Sequence, residues 1–251
     1  AIDVSASTPG TYTVTYTNTG SCGTSATQSV TITAADNAAF SYGASSHCVS
    51  ASDPTPTITG LTGGSFSSTA GLSITGASGA IDVSASTPGT YTVTYTTTGT
   101  CPNSSTQSVT INALDNASFS YGASSYCVSA SDPTPTITDL TGGSFSSTAG
   151  LSITGASGAI DVSASTPGTY TVTYTTTGTC PNSSAQSVTI IGLDDASFSY
   201  SASSYCVSAS DPTPTAATAG TYSSTSGLSI NGTSGEIDVS ASTPGTYTVT
   251  H

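Results

Sequence analysis

From Thr11 to Thr17 the chain alternates strictly, with Tyr12, Val14 and Tyr16 set between Thr11, Thr13, Thr15 and Thr17. Successive side chains of a strand point to opposite faces, so this stretch predicts a half-buried β-strand with one apolar face and one face of hydroxyls. Thr, Tyr and Val all favour strands, and Pro9-Gly10 just upstream is turn punctuation. The segment STPGTYTVTYT returns intact at 86–96 and 165–175, and again at 242–251 with His251 in place of its last tyrosine.

The recurrence belongs to a longer repeat. Ile2, Ile81 and Ile160 mark a period of 79 residues, and Ile237 follows after 77. Residues 36–114 and 115–193 differ at only six positions: Ala39/Ser118, His47/Tyr126, Gly60/Asp139, Thr106/Ala185, Asn112/Ile191 and Ala113/Gly192. Four segments are therefore expected. Residues 1–35 form the C-terminal part of one repeat, 36–114 and 115–193 are full repeats, and 194–251 is the N-terminal part of a divergent one. A chain that opens mid-pattern reads as a window of a longer array of many units.

Within one repeat the alternation predicts seven strands, at 39–42, 54–60, 64–68, 71–75, 80–86, 89–98 and 106–112, separated by Gly, Pro, Ser and Asn. Short strands at this density, with no helical periodicity, predict an all-β protein: a tandem array of Ig-like β-sandwich repeats of about 79 residues. The expected core is Phe40, Ile58, Phe66, Leu72, Ile74, Ile81, Val83, Tyr91, Val93, Tyr95, Val109 and Ile111. That core is thin for a domain of this size.

Composition narrows the function. The 251 residues include no Lys or Arg, two His and 13 Asp or Glu, a formal net charge of -13. Without cationic side chains a nucleic-acid partner is excluded and an anionic membrane surface is disfavoured. No run of 18 apolar residues is present to span a bilayer as a helix. Catalysis needs a titratable base beside a nucleophile. His47 is tyrosine in the sister repeats, as is His251, and the carboxylates form no obvious pair, so an enzyme is not expected.

Single cysteines at 22, 48, 101, 127, 180 and 206 lie too far apart for a metal cluster and predict disulfides, hence an oxidising, extracellular setting. Two pairings compete. Bonds within a repeat, Cys48–Cys101 and Cys127–Cys180, would each contribute roughly 4 kcal/mol and leave Cys22 and Cys206 to units outside the window. Bonds across repeat boundaries would be Cys22–Cys48, Cys101–Cys127 and Cys180–Cys206.

The segments GLSITGASGAIDVSASTPGTYTVTYT (71–96), CVSASDPTPTIT (48–59) and GTCPNSSTQSVTI (99–111) resemble the Ig-like and cadherin-like tandem repeats of giant bacterial surface adhesins and extracellular filaments, of the Bacteroidota type. The resemblance covers the whole chain and implies an exported tandem-repeat protein whose partners are neighbouring repeats or copies of itself. It also implies calcium between domains, for which Asp36, Asp115, Asp194 and Asp195 are candidates, as are the loop acids Asp53, Asp132 and Asp211. The competing reading of these acids is an Asx turn that shapes a loop.

Covalent glycans are expected on the hydroxyl surface, with Asn103, Asn116, Asn182 and Asn231 heading N-x-Ser/Thr sequons. The threonine face itself has three readings: a solvated strand face, a carbohydrate attachment surface, or an ice-binding array. The expected function is an extracellular fibre or adhesin stalk. Its alternative is a carbohydrate- or surface-binding module that uses Tyr42, Tyr121 and Tyr200.

Overall fold

The computed structural model describes residues 1–251 and contains strands and turns but no helix. The chain divides into two compact units. One comprises Ala1–Ser120, Thr136–Phe145 and Thr173–Ala185, the other Tyr121–Pro135, Ser146–Val172 and Gln186–His251.

In the first unit, β1 (Gly10–Thr17) and β2 (Ser25–Ile32) form an antiparallel hairpin. Residues 36–114 then supply β3 (Phe40–Ser41), β4 (Ser46–Cys48), β5 (Thr57–Ile58), β6 (Ser65–Ser68), β7 (Ser73–Ile74), β8 (Ile81–Asp82), β9 (Gly89–Thr96) and β10 (Ser104–Asn112). One sheet has the order β4-β10-β9-β6, with β4 parallel to β10 and the other neighbours antiparallel. The facing layer holds the antiparallel pairs β3–β5 and β7–β8. It is joined where Ile81 donates its N–H to the Pro54 carbonyl at 3.1 Å. This strand order is that of an Ig-like β-sandwich.

The predicted core closes between the layers. Ile81, Val83, Val93 and Tyr95 have no exposed surface. Phe40 meets Phe66 edge-on with centroids 5.4 Å apart, and Phe66 lies 4.6 Å from Tyr95. Tyr91, at the start of β9, donates its hydroxyl to the Thr87 carbonyl at 2.6 Å. That contact is the tyrosine corner typical of such sandwiches. Tyr170 makes the same bond to Thr166, and Tyr12 to Thr8.

The second full repeat gives β11 (Phe119–Ser120), β12 (Ser125–Cys127), β13 (Thr136–Ile137), β14 (Ser144–Ser147), β15 (Ser152–Ile153), β16 (Ile160–Asp161), β17 (Gly168–Thr175) and β18 (Ser183–Ile191), with the corresponding order β12-β18-β17-β14. In the second unit, residues 194–251 add β19 (Phe198–Ser199), β20 (Thr215–Ala216), β21 (Ser223–Ser224), β22 (Ser229–Ile230), β23 (Ile237–Asp238) and β24 (Val249–Thr250). They are joined as β19–β20, β21–β24 and β22–β23.

Four predicted strands, at 39–42, 54–60, 71–75 and 80–86, shrink to two residues each, the 54–60 and 80–86 strands by the most, and one further strand lies outside the predicted set. The 54–60 strand shrinks to Thr57–Ile58, because Pro54 and Pro56 have no N–H for a ladder. Its missing bond is replaced by a side chain: Asp53 Oδ1 accepts from the Val83 N–H at 3.0 Å, and Asp132 and Asp211 do the same for Val162 and Val239. Asp53→Ala leaves a buried N–H unpaired and should cost about 1–3 kcal/mol. Urea denaturation would measure it, with Asp53→Asn recovering most of the loss. The unforeseen strand is β4, whose sequence SHC carries no alternation.

The 80–86 strand stops at Asp82 because the carboxylate turns the chain. Asp82 Oδ1 accepts from Ser84 Oγ at 2.8 Å and from Ala85 N–H at 2.9 Å. Ser86 Oγ, buried, donates to the Asp82 carbonyl at 2.7 Å and accepts from Ser73 N–H at 2.9 Å. The bond from Ala85, then that from Ser84, hold the Asp82 carboxyl below its ordinary value of 3.8. Asp3, Asp161 and Asp238 are lowered in the same way.

A depressed folded pKa means that this stabilisation is complete above about pH 3.8 and is lost as pH falls through the folded value. Protonation also relieves repulsion among 13 unopposed acids, so wild-type Tm alone would mix two effects of opposite sign. The difference in Tm between wild type and Asp82→Asn isolates the turn. It should be present at pH 7 and vanish at strongly acidic pH.

Candidate functional site

The sandwich places the two cysteines of one repeat at opposite ends. The parallel register of β4 on β10 sets Cys48 beside Asn112, where the repeat ends. Cys101 lies in the β9–β10 turn, at the end where the repeat begins; there Asp36 donates its N–H to the Cys101 carbonyl at 2.8 Å. Between them β10 runs from Ser104 to Asn112, a span of about 27 Å at the usual rise. A disulfide needs Cα atoms within ~7 Å.

The expected Cys48–Cys101 pairing is therefore corrected, and Cys127–Cys180 with it: the disulfide joins Cys48 to Cys180, with Cα atoms 5.6 Å apart and 132 residues between them in sequence. Cys22, Cys101, Cys127 and Cys206 are free thiols, so the boundary pairing is corrected as well. Cys22 lies in the β1–β2 turn, a strand's length from Ile32. The observed bond links the end of one full repeat to the beginning of the next. Cys180 is buried, and its Sγ lies 4.0 Å from the Asn112 carbonyl, while Cys48 Sγ lies 3.5 Å from that of Thr179.

The junction acids shape this end of the repeat. Asp36 Oδ2 accepts from Thr97 Oγ1 and from Gly99 N–H, both at 2.9 Å, and Asn103 Nδ2 donates to the Asp36 carbonyl at 3.0 Å. Thr97 is itself buried. Asp115 repeats the arrangement with Thr176 and Asn182. Asp195 Oδ1 accepts from the Ser197 N–H at 2.9 Å, an Asx turn. Calcium takes six to eight oxygens, yet no three acidic, His or Cys side chains gather anywhere in the chain. The Asp36 and Asp115 carboxylates reach across to the loops that carry Thr97 and Thr176, that of Asp195 turns to its own loop, and Asp194 lies exposed.

The remaining candidates fall into place separately. Tyr42 and Tyr121 are buried, not exposed, and donate their hydroxyls to the Gly79 and Gly158 carbonyls at 2.6 Å; Tyr200 does the same to Gly235. Burial pushes the Tyr42 and Tyr121 phenols up to about 12. Gly79 holds φ +72 there, and a Cβ would lie 2.7 Å from the Pro56 ring. Tyr42 and Tyr121 are core anchors and offer no stacking platform, whereas Tyr200 is half-buried.

Among the sequons, Asn103 and Asn182 spend their amide nitrogens on the Asp36 and Asp115 carbonyls. Asn116 and Asn231 are exposed and accept backbone bonds through Oδ1. On the outer face, Thr90 and Thr110 join hydroxyls across the strands at 3.0 Å, as do Thr169 and Thr189. The neighbouring rows supply only Ser and Thr. His47 Nε2 lies 3.1 Å from its own loop's Ala44 carbonyl. His251 stacks on Tyr222 at 4.5 Å, in the place Tyr95 takes beside Phe66.

A cavity of about 500 Å³ opens in the last segment, lined by Tyr200, Leu228, Val239, Tyr247 and Val249 among others. In the 36–114 repeat the corresponding space is closed by Val109 and Ile111 of β10.

No family model matches the chain, and no curated protein is significantly similar to it. Solved structures that resemble it include mouse cadherin-23 EC22–24, 15% identical with a TM-score of 0.30, covering 76% of this chain and 77% of that one. Protocadherin gammaB7 EC3–6, in a cis-dimer structure, is 12% identical with a TM-score of 0.33, over 90% of this chain and 75% of that one. A Ca²⁺-stabilised adhesin that helps an Antarctic bacterium reach out and bind ice is 16% identical with a TM-score of 0.33, over 92% and 74%. At these scores the likenesses assign neither ligand nor partner, and the sandwich stands on its own strand order.

Proposed function

We propose that the chain is a load-bearing extracellular element, the stalk of a bacterial surface adhesin or a fibre, with each sandwich repeat acting as a spacer and the full repeats at 36–114 and 115–193 as its domains. The observation that carries this reading is the Cys48–Cys180 bond, which ties one full repeat to the next. A bond placed there resists extension of the array and does nothing for chemistry inside a repeat. Persistence of a disulfide requires an oxidising compartment. The absence of Lys and Arg leaves trypsin-like proteases no cleavage site. Glycans on the Ser/Thr face, and on Asn116 and Asn231, complete the proposal.

The experiment is a length series. Chains with increasing numbers of repeats are measured by small-angle scattering and electron microscopy. The maximum dimension should grow linearly, by roughly 35–45 Å per repeat at the rise of a ten-residue strand. Dimensions that grow only with the cube root of mass would overturn the reading.

A further inference from the structure

The Cys48–Cys180 bond follows a rule that the free thiols share. Cys48 is the early cysteine of its repeat and Cys180 the late cysteine of the following one. Each free cysteine is one whose counterpart under this rule is not among residues 1–251. Their surroundings repeat as well. Cys101 Sγ faces the Thr33 carbonyl at 3.9 Å, as Cys180 Sγ faces Asn112, and Thr33 is the residue equivalent to Asn112. Cys127 lies opposite Ile191 in a parallel register, as Cys48 lies opposite Asn112.

We infer that the structure assigns Cys101 and Cys127 as two half-sites of a disulfide ladder: Cys127 takes the late cysteine of a following repeat, and Cys101 the early cysteine of a preceding one. This deepens the stalk reading and rests on its tandem array. The partner is an adjoining repeat of the same type. Each bond forms by two thiol–disulfide exchanges with a small-molecule disulfide. One protein thiolate attacks it, releasing a thiol and leaving a mixed disulfide; the second protein thiolate then displaces the other half. Two protein thiols are oxidised and one disulfide is reduced to two thiols. At Cys127 the Ser129 hydroxyl, 3.2 Å from Sγ, lowers the thiol pKa and favours the attacking form.

Two extended chains test the ladder. The first continues past His251 with a copy of 96–114, which completes the last repeat and supplies its late cysteine. The second precedes Ala1 with a copy of 36–79, which supplies an early cysteine. Both are refolded with oxidised glutathione and alkylated. They are then mapped after cleavage at aromatic residues, since trypsin has no site. The first should lose labelling at Cys127 and the second at Cys101, each joined to the added cysteine, with Cys48–Cys180 retained. Serine in place of the added cysteine should restore labelling. Pairing of the added cysteine within its own repeat, to Cys206 in the first chain or Cys22 in the second, overturns the ladder. So does continued labelling of Cys127 and Cys101 while Cys48–Cys180 is intact. Either result leaves the length series to judge the stalk separately.

Discussion

Tyr95→Ala should destabilise the 36–114 sandwich by about 4–6 kcal/mol, whereas Tyr16→Ala, in an identical octapeptide, should change stability by less than about 0.5 kcal/mol. The two tyrosines share the sequence GTYTVTYT and differ only in what surrounds them. Tyr95 is fully buried and Tyr16 is 70% exposed. Removing the Tyr95 ring empties a site packed against Phe66 and Phe40. It also strands two backbone groups: the Tyr95 hydroxyl donates to the Leu61 carbonyl at 2.7 Å and accepts from the Gly64 N–H at 3.0 Å. Tyr95→Phe keeps the ring and should lose only about 1–2 kcal/mol. Urea titrations followed by tyrosine fluorescence check all three variants. Equal shifts for Tyr16→Ala and Tyr95→Ala would mean that β1 is as well covered as β9.

Much of the fold was legible because the apolar alternation is strict and copied four times. Tyr91, Val93 and Tyr95 face inward as a period of two requires, and every residue of the expected core lies in the buried cluster or packs against it. Two features escaped that pattern for physical reasons. Backbone satisfaction by side chains, as at Asp53 and Asp82, replaces ladder bonds and shortens strands without disturbing the alternation. Tyr42 breaks no rule of burial either; its hydroxyl needs an acceptor, and a glycine 37 residues away supplies it. The disulfide was hidden more deeply. Linear spacing made Cys48 and Cys101 look like partners, but only the parallel seating of β4 on β10 shows that they occupy opposite ends of one sandwich. Cys101 and Cys180 each precede Pro-Asn in the turn before the last strand of a repeat, which sets them a full strand away from the repeat's end.

Reducing Cys48–Cys180 should lower the stability of the two full repeats by about 5 kcal/mol in the chain-entropy account, or roughly 10–20 °C in Tm. The loop spans a sequence separation of 132 residues, which is why the effect exceeds that of a bond within one repeat. Pulling on the chain ends gives a sharper readout. With the bond intact, force bypasses every residue between Cys48 and Cys180, so unfolding cannot release their length. Once the bond is reduced, the same segment of 132 residues adds about 450 Å to the fully extended chain. Single-molecule extension with and without a reductant should therefore differ by that amount in total contour. Cys48→Ser should behave as the reduced protein under both conditions. Equal contour lengths in the two conditions would show that the repeats bear load through the backbone alone, and the covalent clamp would lose its mechanical role.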